Sequence, residues 1–145
     1  MSNKNADNPR LGKEFQDFVQ TLAEKKFKKK FVQEQVVRIG LPPKGHKFDL
    51  VSEDGTIIIE CKRHTWTDGG NVPSAKIAVL DEAILYMRSV PYYARKIIAM
   101  IEAHDPTGKR KESLAEYFVD KHGHLLADIE IWEVSLAGKM KKISR

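Results

Sequence analysis

The sequence of 145 residues contains one cysteine and no long hydrophobic run. A single cysteine excludes an internal disulfide and a cysteine-rich zinc site. The longest apolar run, residues 97–101, is far shorter than the roughly 18 residues that a membrane-spanning helix needs, so we expect no membrane association. Residues 1–10 are polar and lack the apolar segment of a secretion signal. We therefore expect a cytoplasmic protein.

The composition is typical of a folded domain. Hydrophobic residues make up 41% and charged residues 31% of the chain, which is neither a disordered nor a membrane composition. A chain of this length has enough residues for one sizeable core and not for two. We expect a disordered leader at residues 1–8, a single domain at residues 9–136 and a basic tail at residues 137–145.

Positive charge is unevenly distributed along the chain. The net charge is +5, and nearly half of the 25 lysine and arginine residues lie in the segments 25–30, 109–111 and 139–145. Such clusters displace counterions from a phosphate backbone, which is typical of nucleic-acid binding. The alternative is a solvated helix end, a loop tip and a frayed tail.

Hydrophobic periodicity and turn signals predict alternating helices and strands. Asn8-Pro9 is a typical helix start, Asp54-Gly55 lies between two apolar runs as in a hairpin, and Ser74 is the expected N-cap of a second helix. The first helix is predicted to bury Leu11, Phe15, Phe18, Val19 and Leu22. Predicted helices are residues 9–29, 74–89 and 113–121, and predicted strands are residues 32–39, 47–51, 56–63, 96–103 and 128–136. This order predicts an α/β fold with a mixed central sheet flanked by helices.

The most informative pattern is Asp49 followed by Glu60-Cys61-Lys62. Glu60 and Lys62 continue a run of three isoleucines, and residues two apart on a strand point to the same face. Charges on a buried strand are costly unless they are paired or bound to a metal. Asp49, on the neighbouring predicted strand, adds a second carboxylate. Two carboxylates suit Mg²⁺, and a lysine beside them can orient or help deprotonate an attacking water.

Together with the predicted order of elements, this pattern resembles the PD-(D/E)XK nuclease superfamily. The resemblance covers residues 9–136, and the compact layout is similar to Holliday-junction resolvases and to minimal catalytic domains of restriction enzymes. Phe48 stands where the motif nominally has proline, a position that varies in the superfamily. The resemblance implies a restriction endonuclease-like α-β-β-β-α-β core and a Mg²⁺-dependent DNA endonuclease in which Mn²⁺ can replace Mg²⁺.

The resemblance also implies roles for individual residues. Asp49, Glu60 and the backbone carbonyl of Cys61 would hold Mg²⁺, and Lys62 would act on the water. Hydrolysis would leave a 5′-phosphate and a 3′-hydroxyl. Because small domains that cut both strands usually act as homodimers, we expect a homodimer that binds DNA.

Many members of the superfamily place another acid on the first helix, where Glu14 and Asp17 are the candidates. At 100° per residue, Glu14 lies about 85° from the centre of the apolar stripe and Asp17 about 145°. Glu14 is therefore at the boundary of the buried face, whereas Asp17 points to solvent. We predict that Glu14 is the additional catalytic and metal-binding acid, with an ordinary exposed acid as the alternative.

Weaker signals surround the motif. Arg63 and Lys76 are candidate phosphate contacts, with a strand end and a solvated helical turn as the alternatives. Trp66 lies in a glycine-containing loop, residues 64–73, and could stack on a base, although a tryptophan that closes a loop edge is as common.

The remaining histidines and the cysteine carry less weight. His46 and His64 lie near the predicted site and could assist proton transfer, whereas His122 and His124 are weak zinc ligands without a nearby cysteine. The Cys61 side chain is predicted to lie on the face opposite Glu60, as a small hydrophobic residue rather than a nucleophile.

Two other interpretations compete with the nuclease. One is a non-catalytic nucleic-acid-binding module on the same fold, and the other is an α/β domain in which Glu60 and Lys62 form a structural ion pair. A binding module has no need for charges in an apolar strand, which favours the nuclease.

Overall fold

A computed structural model describes residues 9–145, without the side chain of Pro9. The predicted leader, residues 1–8, and the predicted N-cap Asn8 lie outside the described residues. No helix of the described part is long and apolar enough to cross a membrane. The elements in chain order are α1 (Pro9–Phe27), β1 (Phe31–Ile39), β2 (Lys44–Ser52), β3 (Ile57–Lys62), α2 (Ser74–Arg88), β4 (Arg95–Ile101), α3 (Leu114–His122), a 3-10 helix (Gly123–Leu125), β5 (Glu130–Val134) and β6 (Met140–Lys142).

The six strands form one sheet whose spatial order follows the chain, β1-β2-β3-β4-β5-β6. β1, β2 and β3 are antiparallel neighbours, β3, β4 and β5 run parallel, and β6 is antiparallel to β5. The parallel pairs are possible because α2 and α3 each provide a crossover between consecutive strands. The predicted α/β fold with a mixed sheet is thus confirmed.

The helices lie on both faces of the sheet. Trp132 of β5 packs edge-on against Phe27 of α1, with 5.7 Å between ring centroids. The next residue, Glu133, accepts a hydrogen bond from Ser113 at the start of α3. Because adjacent strand residues point to opposite faces, α1 and α3 lie on opposite faces. We call them the α1 face and the α3 face.

Helix α2 belongs to the α3 face. Its Asp81 carboxylate lies 2.6 Å from Nδ1 of His122 on α3. The core fills both faces of the central strands, since the three isoleucines of β3 and six of the seven residues of β4 are buried. This is why both strands have nearly continuous apolar sequences.

Several predicted boundaries shift for local reasons. α1 ends at Phe27 rather than residue 29 because Lys28 adopts a left-handed φ of 55°. Of its predicted buried face, Phe15 and Val19 are buried, whereas Leu11, Phe18 and Leu22 are half-buried. Ser74 is the first residue of α2, and Pro73 precedes it without a side-chain cap.

The C-terminal segment is part of the sheet. Residues 137–145, predicted as a basic tail, contain β6, whose Met140 is buried and pairs with Val134. β5 is therefore covered along its outer edge and is buried from Ile131 onward. β6 has only three residues, which is too short for a periodic pattern to be recognised in the sequence.

The β1–β2 hairpin separates from the rest of the sheet. β2 pairs with β1 along its length except at Asp49, but it pairs with β3 at only two positions, Leu50↔Ile59 and Val51↔Ile58. The remainder of β2 therefore has no strand partner on its β3 side. We call the place where the two strands part, marked by Asp49 and Glu60, the β2–β3 fork.

Beyond the fork, the hairpin contacts the C-terminal part of α2. The amide of Gly40 donates to the carbonyl of Ser89 at 3.1 Å. The imidazole of His46 stacks on the ring of Tyr86, with centroids 3.8 Å apart and planes at 17°. These contacts hold the hairpin open at the fork.

Candidate active site

Asp49 and Glu60 face each other at the β2–β3 fork, one register position beyond the last strand pair. Side chains replace the missing strand bonds there. The amide of Asp49 donates to Glu60 Oε1 at 2.9 Å, and the amide of Cys61 donates to Asp49 Oδ2 at 2.7 Å. Buried amides need acceptors, so these two bonds fix both carboxylates at the fork. The structure thus brings together the two acids that the sequence singled out.

Lys62 completes the cluster. Its Nζ lies 3.6 Å from Glu60 Oε2, and the two side chains are 19% and 12% exposed. The strand register aligns Lys62 with Met100 and Met100 with Glu133. Because Glu133 contacts α3, Glu60 and Lys62 also point to the α3 face.

The two carboxylates destabilise each other's charged forms. Burial, followed by the negative charge of Asp49, raises the pKa of Glu60 to about 7, against the opposing effect of Lys62. Burial likewise raises the pKa of Asp49, although the amide of Cys61 and the charge of Lys62 oppose this. One lysine therefore serves two partly desolvated acids, and an additional cation would stabilise both as carboxylates.

The donor set fits a hard divalent cation. Within residues 9–145, Asp49 Oδ1 accepts no hydrogen bond, so this oxygen is available as a ligand. No group of three or more His, Cys, Asp or Glu side chains converges anywhere in the described part of the chain. Mg²⁺ accepts such a pair because it retains several waters and binds substrate phosphate oxygens.

Cys61 lies between the two charged residues of β3 but faces away from them. It aligns with Ala99, which in turn aligns with Trp132, so its side chain is on the α1 face. Burial raises the pKa of the Cys61 thiol well above its ordinary value. A neutral, inward-facing thiol is consistent with the prediction that this cysteine is not a nucleophile.

Glu14 is not brought to the fork, and its predicted part in metal binding stays a prediction. It is exposed on α1 and borders a surface cavity of about 260 Å³ that Arg63 and Ile101 also line. Glu60 points to the α3 face, opposite α1. The helical wheel gave the angle of Glu14 from the apolar stripe but not which face of the sheet the helix would cover.

Asp17, the alternative acid, is engaged elsewhere. Its carboxylate accepts hydrogen bonds from Lys13 at 2.8 Å and from Gln33 of β1 at 2.7 Å. These bonds lower the pKa of Asp17, that from Lys13 most. Asp17 therefore joins α1 to the edge of the sheet.

Trp66 lies buried between two loops, which is the alternative to stacking on a base. The ring is 2% exposed, packs edge-on against Tyr117 at 5.4 Å and lies 4.6 Å from the Arg110 guanidinium. Arg110 also donates from Nε to the carbonyl of Gly70 at 2.9 Å. These contacts link the loop after β3 to the loop before α3. Arg110, which belongs to the second basic segment, is therefore engaged within the protein.

Gly70 makes this close contact between the two loops possible. It has a left-handed φ of 77°, and a Cβ there would lie 2.6 Å from Thr107 Oγ1 and 2.7 Å from Asp105 Oδ1. Only glycine accepts both the conformation and the close approach.

The other candidates are dispersed. Arg63 lies by the cavity on the α1 face, and Lys76 is half-buried in the first turn of α2. His122 stacks on Phe118 with 5.0 Å between centroids and pairs with Asp81, which is a structural role. His124 is exposed.

The His46–Tyr86 pair is a feature that the sequence did not reveal. Burial lowers the pKa of His46, and the charges of Glu82 and Lys62 act on it in opposite directions. His46 is therefore within electrostatic range of the fork. The contact joins β2 to the far end of α2, and no local pattern signals such a long-range pairing.

No protein-family model, curated protein sequence or solved structure matches the chain. The resemblance to PD-(D/E)XK nucleases therefore rests on Asp49, Glu60 and Lys62 and on the order of the elements.

Proposed function

We propose that the chain is a Mg²⁺-dependent DNA endonuclease of the PD-(D/E)XK type. The supporting observation is the pairing of two buried acids with a single lysine at the β2–β3 fork. A structural ion pair matches one acid with one base, because an unmatched buried charge is strongly destabilising. Here one acid is left without a matching base, at a place where side-chain hydrogen bonds replace strand bonds. Retention of such a costly arrangement favours a catalytic site over a structural one.

Each residue has a distinct task in this proposal. Asp49 and Glu60 would hold Mg²⁺, or Mn²⁺ in its place, which when bound supplies positive charge to stabilise a phosphate oxygen. The amides of Asp49 and Cys61 hold the two carboxylates in position. Lys62 would hold the attacking water by donating a hydrogen bond to it. The water oxygen would bond to phosphorus and lose a proton to solvent, and the bond to the 3′ oxygen would break as that oxygen takes up a proton from solvent, which leaves a 5′-phosphate and a 3′-hydroxyl.

The proposal includes the restriction endonuclease-like topology, a homodimer with one site per DNA strand, and action in the cytoplasm. The antiparallel β1–β3 segment followed by a crossover through α2 to β4 is compatible with that topology. All three belong to the same proposal as the catalytic site.

The test is a cleavage assay on labelled duplex, single-stranded, flap and four-way-junction DNA with Mg²⁺, Mn²⁺ or EDTA. We expect metal-dependent cutting that falls by about 100-fold or more in Asp49→Asn, Glu60→Gln and Lys62→Ala. Asp68→Asn and Lys121→Ala, at exposed positions, are the matched controls and should cut normally. DNA binding without cutting, equal in EDTA and in every variant, would instead establish a non-catalytic nucleic-acid-binding module.

A further inference from the structure

A strongly basic surface lies on the α1 face, at the end of the sheet where β4 and β5 begin. We call it the α1–β6 basic surface and define it by Lys26, Lys28, Lys29, Lys30, Arg95 and Lys142. All are exposed except Lys29, which is half-buried. It unites the first basic segment of the sequence with part of the third.

Trp132 is the centre around which these distant segments meet. Lys26 Nζ lies 5.2 Å from the centroid of the Trp132 ring, and the Arg95 guanidinium lies 5.8 Å from it. Lys142 is the register partner of Trp132 across β5 and β6. Contacts of cations with an aromatic ring are favourable, so the fold gathers cations here rather than dispersing them.

Acidic neighbours only partly neutralise the surface. Lys29 pairs with Asp54 at 2.5 Å, Arg95 with Glu130 at 2.7 Å, and Lys30 acts on Glu24 through its charge. The six cations therefore outnumber these three acids.

The basic surface and the fork lie on opposite faces of the sheet. Trp132 and Lys142 share the α1 face with Cys61, whereas Glu60 and Lys62 point to the α3 face. Packed layers are about 10 Å apart, so a nucleic-acid segment lying over the fork does not reach the basic surface without passing around the domain. The two charged regions are separate binding places.

We infer that the α1–β6 basic surface is an anchoring site for a nucleic-acid phosphate backbone, distinct from the fork. Lysines act as point charges that bind phosphate without reading bases. Among the described residues of the surface itself, Trp132 is 5% exposed and Phe27 is half-buried, and no aliphatic side chain of the surface is exposed for insertion. A membrane-binding surface needs such side chains for insertion.

Aromatic residues at the rim favour nucleic acid over other polyanions. Tyr92 and Tyr93 are 92% and 65% exposed, in the turn that leads into Arg95. Exposed rings beside cations stack on unpaired bases, which a polyphosphate or an acidic protein lacks. The partner is therefore a nucleic acid whose backbone crosses the cations and whose bases can meet the tyrosines.

The inference concerns binding and does not depend on cleavage, so it is tested in EDTA. The test variant is Lys26→Gln/Lys30→Gln/Lys142→Gln, which keeps Arg95 and its partner Glu130. The control is Arg38→Gln/Lys44→Gln/Lys121→Gln, which removes the same charge from exposed positions outside the surface and outside the basic segments of the sequence. Fluorescence anisotropy of labelled duplex and single-stranded DNA is measured over a series of salt concentrations, with circular dichroism and Tm to verify folding.

We expect the test variant to bind DNA at least about 10-fold more weakly and to lose about 0.9 in the slope of log K against log salt for each phosphate contact removed. The control should retain most of its affinity. Equal losses in both triple variants would overturn the inference, because net charge alone would then explain binding. Lys142→Gln alone, which alters one end of the surface, should show about one contact's loss of slope even if the triple variant folds poorly.

Two further arms identify the partner. Tyr92→Ala should weaken single-stranded DNA binding more than duplex binding. Vesicles of phosphatidylserine and phosphatidylcholine provide an anionic surface without bases. Binding to these vesicles that is lost in the test variant, with DNA binding unchanged, would assign the surface to a membrane and overturn the inference.

Discussion

Asp105 and Glu60 are both acids in sheltered positions, yet their surroundings move their pKa values in opposite directions. Burial raises the pKa of Asp105, but hydrogen bonds from Thr107 and from the amide of Arg110 together outweigh burial and leave that pKa lowered. At the fork, burial and Asp49 raise the pKa of Glu60. Burial alone therefore does not decide what an acid does. The number of hydrogen-bond donors around the acid also matters. Asp105 accepts several hydrogen bonds and holds a loop, whereas Asp49 and Glu60 share one lysine and can bind a further cation.

The largest effect on stability is expected at the loop after β3, which Trp66 and Arg110 link to the loop before α3. Trp66→Ala should lower the free energy of unfolding by about 3–5 kcal/mol, because a buried aromatic ring is removed and the Arg110 guanidinium loses its partner. Urea unfolding followed by circular dichroism measures this. Tyr92→Ala, at an exposed ring, is the control and should change stability little. A small loss in Trp66→Ala would show that the loop is not fastened through this ring.

The pH dependence of stability should separate the fork from ordinary acids. Because the pKa of Glu60 is raised to about 7, the folded protein holds a proton that the unfolded chain releases near its ordinary value. In metal-free buffer, this group's contribution is present at low pH and lost as the pH rises through about 4.5 to 7, a change on the order of 3 kcal/mol. Asp49 acts in the same direction.

Urea unfolding at pH 5 and pH 8 in EDTA tests this sign. Glu60→Gln should remove most of the decrease in the free energy of unfolding between pH 5 and pH 8. Glu130→Gln is the control: the pKa of Glu130 is lowered from about 4.5, so this acid stays charged between pH 5 and pH 8 and its removal should leave the decrease in stability unchanged. A wild-type protein whose stability changes with pH in the same way as that of Glu60→Gln would contradict the raised pKa.

Metal binding should give the smallest effect. Mg²⁺ at about ten times its Kd should stabilise the folded protein by about 1 kcal/mol, seen as a rise in Tm at pH 8. Asp49→Asn should lose this rise, whereas Asp68→Asn should keep it. An equal rise in both variants would mean that Mg²⁺ acts elsewhere on the protein.

Local signals made most of the fold predictable from the sequence. The apolar runs of β3 and β4 identified central strands because parallel strands are buried on both faces. Asp54-Gly55 marked a hairpin through its turn chemistry. The acids at the fork could be predicted because charged residues interrupt the apolar run of β3. This signal lies within the sequence of a single strand.

The missed features all depend on long-range packing. β6 is too short to show periodicity, and the β1–β2 hairpin parts from β3 for reasons that lie in α2, forty residues away in the chain. The buried position of Trp66 depends on its contact with Arg110. The position of Glu14 relative to the fork depends on which face of the sheet α1 covers. Sequence patterns describe single elements and not their partners.

The hydrogen bonds at the fork also give the protein two internal spectroscopic probes. The amides of Asp49 and Cys61 donate to carboxylates rather than to strand carbonyls. Their proton resonances should therefore shift when those carboxylates gain a proton or a cation, while amides in the regular ladder stay unchanged. A nitrogen–proton correlation spectrum thus records the state of the fork directly, without a substrate and without cleavage.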